Sequence, residues 1–187
     1  MNMTSNVIQI DRVLSELDNF AIDFSSLIGK HTSYVIVSGY VSILLGRSRT
    51  SEDIDMIIPV LDKISWTIIY NDLIKHNYYC LNSESADESY SYLKDNIAVR
   101  FAPLGKVIPN MEVAFASSNT QKLALSTKIK AIVGKKILYI SNLELQIAYK
   151  EKILKSPKDM EDARHLRLML GKGIDSKKFK EYQGMLK

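Results

Sequence analysis

Two carboxylates, Asp53 and Asp55, sit inside an apolar run that continues through Ile54, Met56, Ile57 and Ile58 and is closed by Pro59. Such a run reads as a buried strand. Alternate strand residues share a face, so the two acids point the same way, about 6.6–6.8 Å apart at Cα. Side by side in a buried strand they repel each other and lose hydration. A strand bears that cost when something positive sits between them. Upstream, Val35-Ile36-Val37 is a short β-branched run that ends in the turn signal Ser38-Gly39. Val41, Leu44 and Leu45 then recur at helical spacing. Strand, tight turn, helix and acid-bearing strand follow one another within about twenty-five residues, and this unit constrains the fold more than any other stretch.

Carboxylate oxygens without a neighbouring Cys or His suit a hard cation, Mg²⁺ or Mn²⁺. A Ser-Gly turn at a helix start presents backbone N–H groups, a ready phosphate site. A metal beside a polyphosphate points to phosphoryl or nucleotidyl transfer.

The residues Ser38-Gly39, a helix, then Arg47-x-Arg49-Thr50-Ser51-x-Asp53-Ile54-Asp55 resemble the signature of the nucleotidyltransferase superfamily that includes DNA polymerase beta and the CCA-adding enzymes. The Arg-x-Thr/Ser-x-Asp-Ile-Asp form is most similar to AbiEii-type toxins and minimal nucleotidyltransferases. The family usually carries Gly-Gly or Gly-Ser at the turn; here Ser38-Gly39 is followed by bulky Tyr40. The resemblance implies an α/β (α+β) fold: a nucleotidyltransferase core, a short mixed sheet flanked by helices, and a C-terminal helical part. The expected division is residues 1–140 for the core and 141–187 for the helical subdomain.

A third acid is needed on a second strand for a two-metal clamp. Met111, Val113 and Phe115 alternate with Glu112 and Ala114, so Glu112 falls on the polar face of a later strand. The resemblance gives it the role of completing the metal site with Asp53 and Asp55 and activating an acceptor hydroxyl. Asp95 is the fallback. Further on, Leu143-x-x-x-Ile147-x-x-Lys150-x-x-x-Leu154 places a lysine within an apolar helical stripe, where lysine is unusual. Lys158-Asp159-x-x-Asp162 opens the next helix, with both acids on the face of Leu166 and Met169. This stretch resembles the C-terminal motif of the same toxin-like family. The resemblance implies that Lys150, with Ser38, Gly39, Arg47 and Arg49, serves the phosphates, and that Lys158, Asp159 and Asp162 support the site. The plain alternative is an inter-helix salt-bridge set.

The remaining helices and strands read as follows. Asp11 to Ile28 forms an amphipathic helix on Val13, Leu17, Phe20, Phe24 and Leu27. Leu61 to His76 forms another, capped by Asp62, with Leu61, Ile64, Ile68, Ile69 and Leu73 as its stripe and Trp66 and Tyr70 on the flank. Asn82 to Asp95 reads as loop, or as an edge strand through Tyr90 and Tyr92. Ile129–Val133 and Lys136–Ile140 form a hairpin around Gly134-Lys135, and Pro157 opens a helix to Leu170. Lysines 177, 178 and 180 make the last helix basic.

Net charge is +4, compatible with nucleotide or RNA partners without demanding them. A single cysteine, Cys80, excludes an intramolecular disulfide and suggests a reducing compartment. No run of 18 apolar residues marks a membrane span, and the first ten residues lack the basic and apolar regions of a signal peptide. A cytoplasmic protein is expected. The resemblance implies transfer of a nucleoside monophosphate from a nucleoside triphosphate to an RNA (such as tRNA) or protein hydroxyl, as the toxin of a toxin–antitoxin pair with an antitoxin partner. Two other classes compete: a silent nucleotide- or RNA-binding module on the same fold, and a regulatory partner acting through an interface at Trp66 and Tyr70.

Overall fold

The structure is a computed structural model that describes residues 2–4 and 6–186. Strands β1 (Asn2–Thr4) and β2 (Val7–Ile10) lead into helix α1 (Glu16–Ile28). Strand β3 (Val35–Val37), helix α2 (Gly39–Leu44) and strand β4 (Asp53–Ile58) form the central unit. Helix α3 (Lys63–Lys75), strand β5 (Tyr78–Cys80), helix α4 (Ala86–Lys94) and strands β6 (Val99–Pro103) and β7 (Asn110–Phe115) follow. Helix α5 (Asn119–Ser126) precedes the hairpin β8 (Ile129–Val133) and β9 (Lys136–Ile140). The remaining elements are helical: α6 (Leu143–Tyr149), a π-helical turn (Lys150–Leu154), α7 (Pro157–Leu170), a 3₁₀ turn (Gly171–Gly173) and α8 (Ser176–Met185).

The described strands form one mixed nine-stranded sheet in the order β1-β2-β8-β9-β3-β4-β7-β6-β5. Strand β4 runs antiparallel to β3 and parallel to β7. Period-two alternation divides the central strands between two apolar clusters. Ile36, Ile54, Met56, Ile58, Met111, Val113 and Phe115 belong to the larger one, with Phe20 and Phe24 of α1 and Trp66 of α3. Val35 and Ile57 belong to the smaller one, with Ala124 of α5, Leu145 and Ala148 of α6 and Tyr182 of α8. Asp53, Asp55 and Glu112 share this second side.

Local chemistry sets the ends of the elements. Ser15 and Asp18 form a reciprocal capping box at α1. It starts the helix at Glu16, later than expected, and Val13 is left 92 % exposed rather than on the apolar face. Asp62 caps α3 as expected. The buried face of α3, however, is Trp66, Ile69, Tyr70 and Leu73, while Ile64 and Ile68 are exposed. Trp66 is fully buried and its indole donates to the Ser89 hydroxyl at 2.9 Å. That burial removes Trp66 and Tyr70 from any surface interface. The segment read as loop or edge strand contains α4 instead, started by the Ser85 cap. Its two tyrosines are spaced for a strand, but Leu93 packs into the core with Tyr90 one helical turn before it, and the Tyr92 hydroxyl donates to Glu88, one turn back, at 2.9 Å. The β8–β9 hairpin and the start of α7 at Pro157 fall where the sequence puts them.

Candidate functional site

Register assembles the acids. Asp55 of β4 pairs with Glu112 of β7, Asp53 pairs with Asn110, and Val37 of β3 pairs with Asp55. Paired residues point to the same side of a sheet, so Asp53, Asp55 and Glu112 line one face at the end of β3. The turn after β3 delivers Ser38 there, with φ 62° and ψ −137°, a region seldom adopted except by glycine. In this conformation its hydroxyl lies near enough to the Asp55 carboxylate to favour the charged form. Tyr40 does not crowd the turn. It is buried, and its hydroxyl donates to Asp18 of α1 at 2.8 Å. The bulky residue after Gly39 therefore ties α2 to α1 and leaves the turn open.

Burial, followed by the charge of Glu112, pushes the Asp55 carboxyl up to about 6, while the Ser38 hydroxyl and the charge of Lys150 pull the other way. The strand thus bears a carboxylate that its surroundings disfavour. Asp53 is exposed and accepts from the Ser51 hydroxyl at 3.1 Å. Glu112 accepts from Nε of Arg100 at 2.5 Å, across the β6–β7 register pair. Among the described residues no group of three or more His, Cys, Asp or Glu is gathered to hold a metal ion. The donor chemistry of Asp53, Asp55 and Glu112 still suits a hard divalent cation. In this arrangement Glu112 is paired with Arg100 and Asp53 with Ser51. Asp95, the fallback acid, ends α4 and lies outside the cavity described below.

The cations gather separately. Asp162 of α7 is fully buried and accepts from Arg47, from Arg49 at 2.8 Å and from Lys150 at 2.8 Å. Lys150, 1 % exposed, also donates to Asp159 at 2.9 Å. Burial lowers the Lys150 ammonium, against which the carboxylate of Asp159 acts. Burial raises the Asp159 carboxyl, but the Ser156 hydroxyl and Lys150 outweigh it and hold it below its ordinary value. Three cations meet two carboxylates in this cluster. Lys158 is exposed, and its carbonyl accepts from Arg47 at 3.2 Å. The salt-bridge arrangement of Arg47, Arg49, Lys150, Asp159 and Asp162 is therefore physically present, and it adjoins the turn: a Cβ on Gly39 would come within 2.9 Å of the Arg49 guanidinium. Glycine at 39 lets that charge lie against the Ser38-Gly39 backbone.

A cavity of about 310 Å³ opens between this face of the sheet and α5 and α6. Ser38, Asp55 and Glu112 line it, and so do Gln146 and Tyr149 of α6. The sequence reading missed Arg100 and Gln146. Arg100 had a signal, since it alternates with the apolar Val99 and Phe101 and so falls on the polar face of β6. Gln146 had a fainter one, a polar residue between the apolar Leu145 and Ile147.

The chain has the nucleotidyltransferase fold. Among solved structures it is similar to an antigenic nucleotidyltransferase-like protein from Paracoccidioides brasiliensis, at 15 % identity and a TM-score of 0.55, over 89 % of this chain and 84 % of that one. It is also similar to the antibiotic-resistance factor ANT(2'')-Ia, at 13 % identity and a TM-score of 0.53, over 90 % of this chain and 91 % of that one. No protein-family model and no curated protein matches the sequence. Among the described residues no helix is long and apolar enough to cross a membrane.

Proposed function

We propose that the protein is a metal-dependent nucleotidyltransferase that moves a nucleoside monophosphate from a nucleoside triphosphate to a hydroxyl of an RNA or protein acceptor. One observation carries this reading: Asp55 and Glu112 face each other across the parallel β4–β7 pair, with Asp53 on the same face and the Ser38-Gly39 turn beside them. The nucleotidyltransferase-like neighbours support the class.

In this reading Asp53, Asp55 and Glu112 hold Mg²⁺ or Mn²⁺, which when bound would neutralise charge on the phosphates and lower the pKa of an acceptor hydroxyl. The Ser38-Gly39 backbone and the adjacent Arg49 receive the phosphates, and Arg47 and Lys150 add positive potential from behind. Asp162 and Asp159 orient these cations. Glu112, paired with Asp55 in the β4–β7 register, would take the acceptor's proton. The hydroxyl attacks the α-phosphorus and pyrophosphate leaves. Positioning and fixed charges supply most of such catalysis. The AbiEii-like motif supports a toxin role, with an antitoxin as partner and tRNA or a protein as acceptor in a cytoplasmic setting.

Titration of ATP, GTP, CTP and UTP, with and without Mg²⁺, tests the reading. Mg²⁺-dependent binding that is lost in the Asp53→Asn/Asp55→Asn double variant is expected. Retention of Mg²⁺-dependent transfer by that variant would sink the mechanism. The ion pair between Glu112 and Arg100 favours a second reading, a nucleotide- or RNA-binding module without turnover. That module would bind a triphosphate and release no pyrophosphate with any acceptor.

A further inference from the structure

Gln146 lies in α6 within a run, Leu143 to Ala148, in which every residue is buried. It is 5 % exposed, lines the cavity beside Asp55 and Glu112, and its Oε1 has no hydrogen-bond partner. An amide at that depth is costly to leave unpaired, and an apolar side chain of the same length would fill the space without the cost. The contrast with Gln121, which lines the same cavity, is informative. The Gln121 amide oxygen accepts from the backbone N–H groups of Ser118 at 2.9 Å and Ser117 at 3.1 Å, so it serves the start of α5. Gln146 serves no such turn.

The cavity's shape and charge say what it would take. Its volume of about 310 Å³ is at the low end for small-molecule sites, too small for a macromolecule. Val37, Ile57, Ala114 and Leu145 give it apolar walls. In the proposed reading the Ser38, Asp55 and Glu112 end belongs to the metal and the phosphates, with Arg49 on the side of Gly39. The apolar remainder towards α5 and α6 suits an uncharged ring with a polar edge.

We propose that Gln146 recognises the nucleoside of the bound triphosphate: rotation about its last side-chain bond turns Oε1 from its buried, unpaired position into the cavity, where it accepts a hydrogen bond from an exocyclic base amine or from a ribose hydroxyl. This rests on the nucleotidyltransferase reading. The test is equilibrium titration of ATP, GTP, CTP and UTP, with Mg²⁺, into the full chain and its Gln146→Met and Gln146→Leu variants. The best-bound triphosphate should lose about 5- to 100-fold in affinity in both variants. Inorganic tripolyphosphate, which has no nucleoside, should bind all three proteins alike. Thermal midpoints of the unliganded variants should equal or exceed that of the native chain, because an unpaired buried acceptor is gone. The 2′-deoxy and 3′-deoxy forms of the best triphosphate then locate the donor. If one of them binds the native chain as weakly as the variants bind the parent, the donor is that ribose hydroxyl; if both bind at full strength and the parent is ATP, GTP or CTP, it is the base amine, whereas the same result with UTP, which has no exocyclic amine, overturns the proposal. Equal affinity of native chain and variants for every triphosphate overturns the proposal and leaves nucleotidyl transfer standing. Lower thermal midpoints in both variants, or an equal loss of tripolyphosphate binding, also overturn it, since Gln146 would then support the fold or the phosphate site. A native chain that binds no triphosphate overturns the transferase reading, and this inference with it.

Discussion

At the residue scale, Asp55 carries the sharpest signature. Its carboxyl is pushed up to about 6 by burial and by Glu112. The folded chain therefore keeps this proton to higher pH than the unfolded chain does. Ionisation of Asp55 costs the fold nothing below about pH 4, and the cost grows as pH rises to about 6 and is complete above it. A shift of about two units corresponds to about 3 kcal/mol. Asp55→Asn should stabilise the metal-free protein at pH 7.5 by about 1–3 kcal/mol and change it little at pH 4, as read by urea unfolding at both pH values. The same variant should lose Mg²⁺-dependent triphosphate binding. Destabilisation at pH 7.5 would show that the Asp55 carboxylate is held by contacts rather than endured. Ser38 belongs to the same balance, since its φ of 62° brings a hydroxyl to the carboxylate where glycine would bring none.

At the scale of elements, the junction of α2, β4, the π-helical turn and α7 is held by charge. Asp162 is the hub, with Arg47, Arg49 and Lys150 all bonded to one buried carboxylate. Breaking a buried pair from one side leaves the other charge uncompensated, which costs about 3–5 kcal/mol. Asp162→Asn strands Arg47 and Arg49 and leaves Lys150 with Asp159 alone, and should approach that cost. Lys150→Met leaves Asp162 two guanidinium partners and should cost about 1–2 kcal/mol. Urea midpoints of the two variants check the order, and a larger loss for Lys150→Met would remove Asp162 from its place as hub. This junction also explains how residues far apart in sequence serve one turn. Arg49 reaches Gly39 and Asp162 together because α7 packs beside α2.

At the scale of the whole molecule, the sequence divides at residue 140, where β9 ends and only helices follow. The apolar interior does not divide there. Leu143, Ile147, Leu166 and Leu170 belong to the same cluster as Ile36 and Ile54, and Leu145, Tyr182 and Leu186 pack with Val35 and Ile57. Burying each large apolar side chain contributes about 1.5–3 kcal/mol, so together they rival a typical net stability of about 5–15 kcal/mol. A fragment of residues 1–140 should therefore lack cooperative unfolding and a dispersed amide spectrum. A well-dispersed spectrum from that fragment would make the strand-rich part an independent domain.

The strand–turn–helix–strand unit, the placement of Glu112 on the polar face of its strand, the β8–β9 hairpin and the Pro157 helix start were all legible in the sequence. Each depends on neighbours within a few residues: alternation, a turn dipeptide, a cap or a proline. The buried side of α3 was not legible, because Ile64 and Ile68 and the pair Trp66 and Tyr70 are equally apolar, and only packing against Phe101 and Phe115 chooses between them. Helix α4 was hidden because a weak local pattern yields to tertiary contact. Arg100 beside Glu112, the three cations around Asp162 and the unpaired Gln146 are products of strand register and helix packing. By itself the sequence determined which residues carry charge and which side of each strand they take. Tertiary structure alone decided which of those charges meet, because Coulomb and hydrogen-bond energies depend on separations of a few ångströms that no spacing along the chain records.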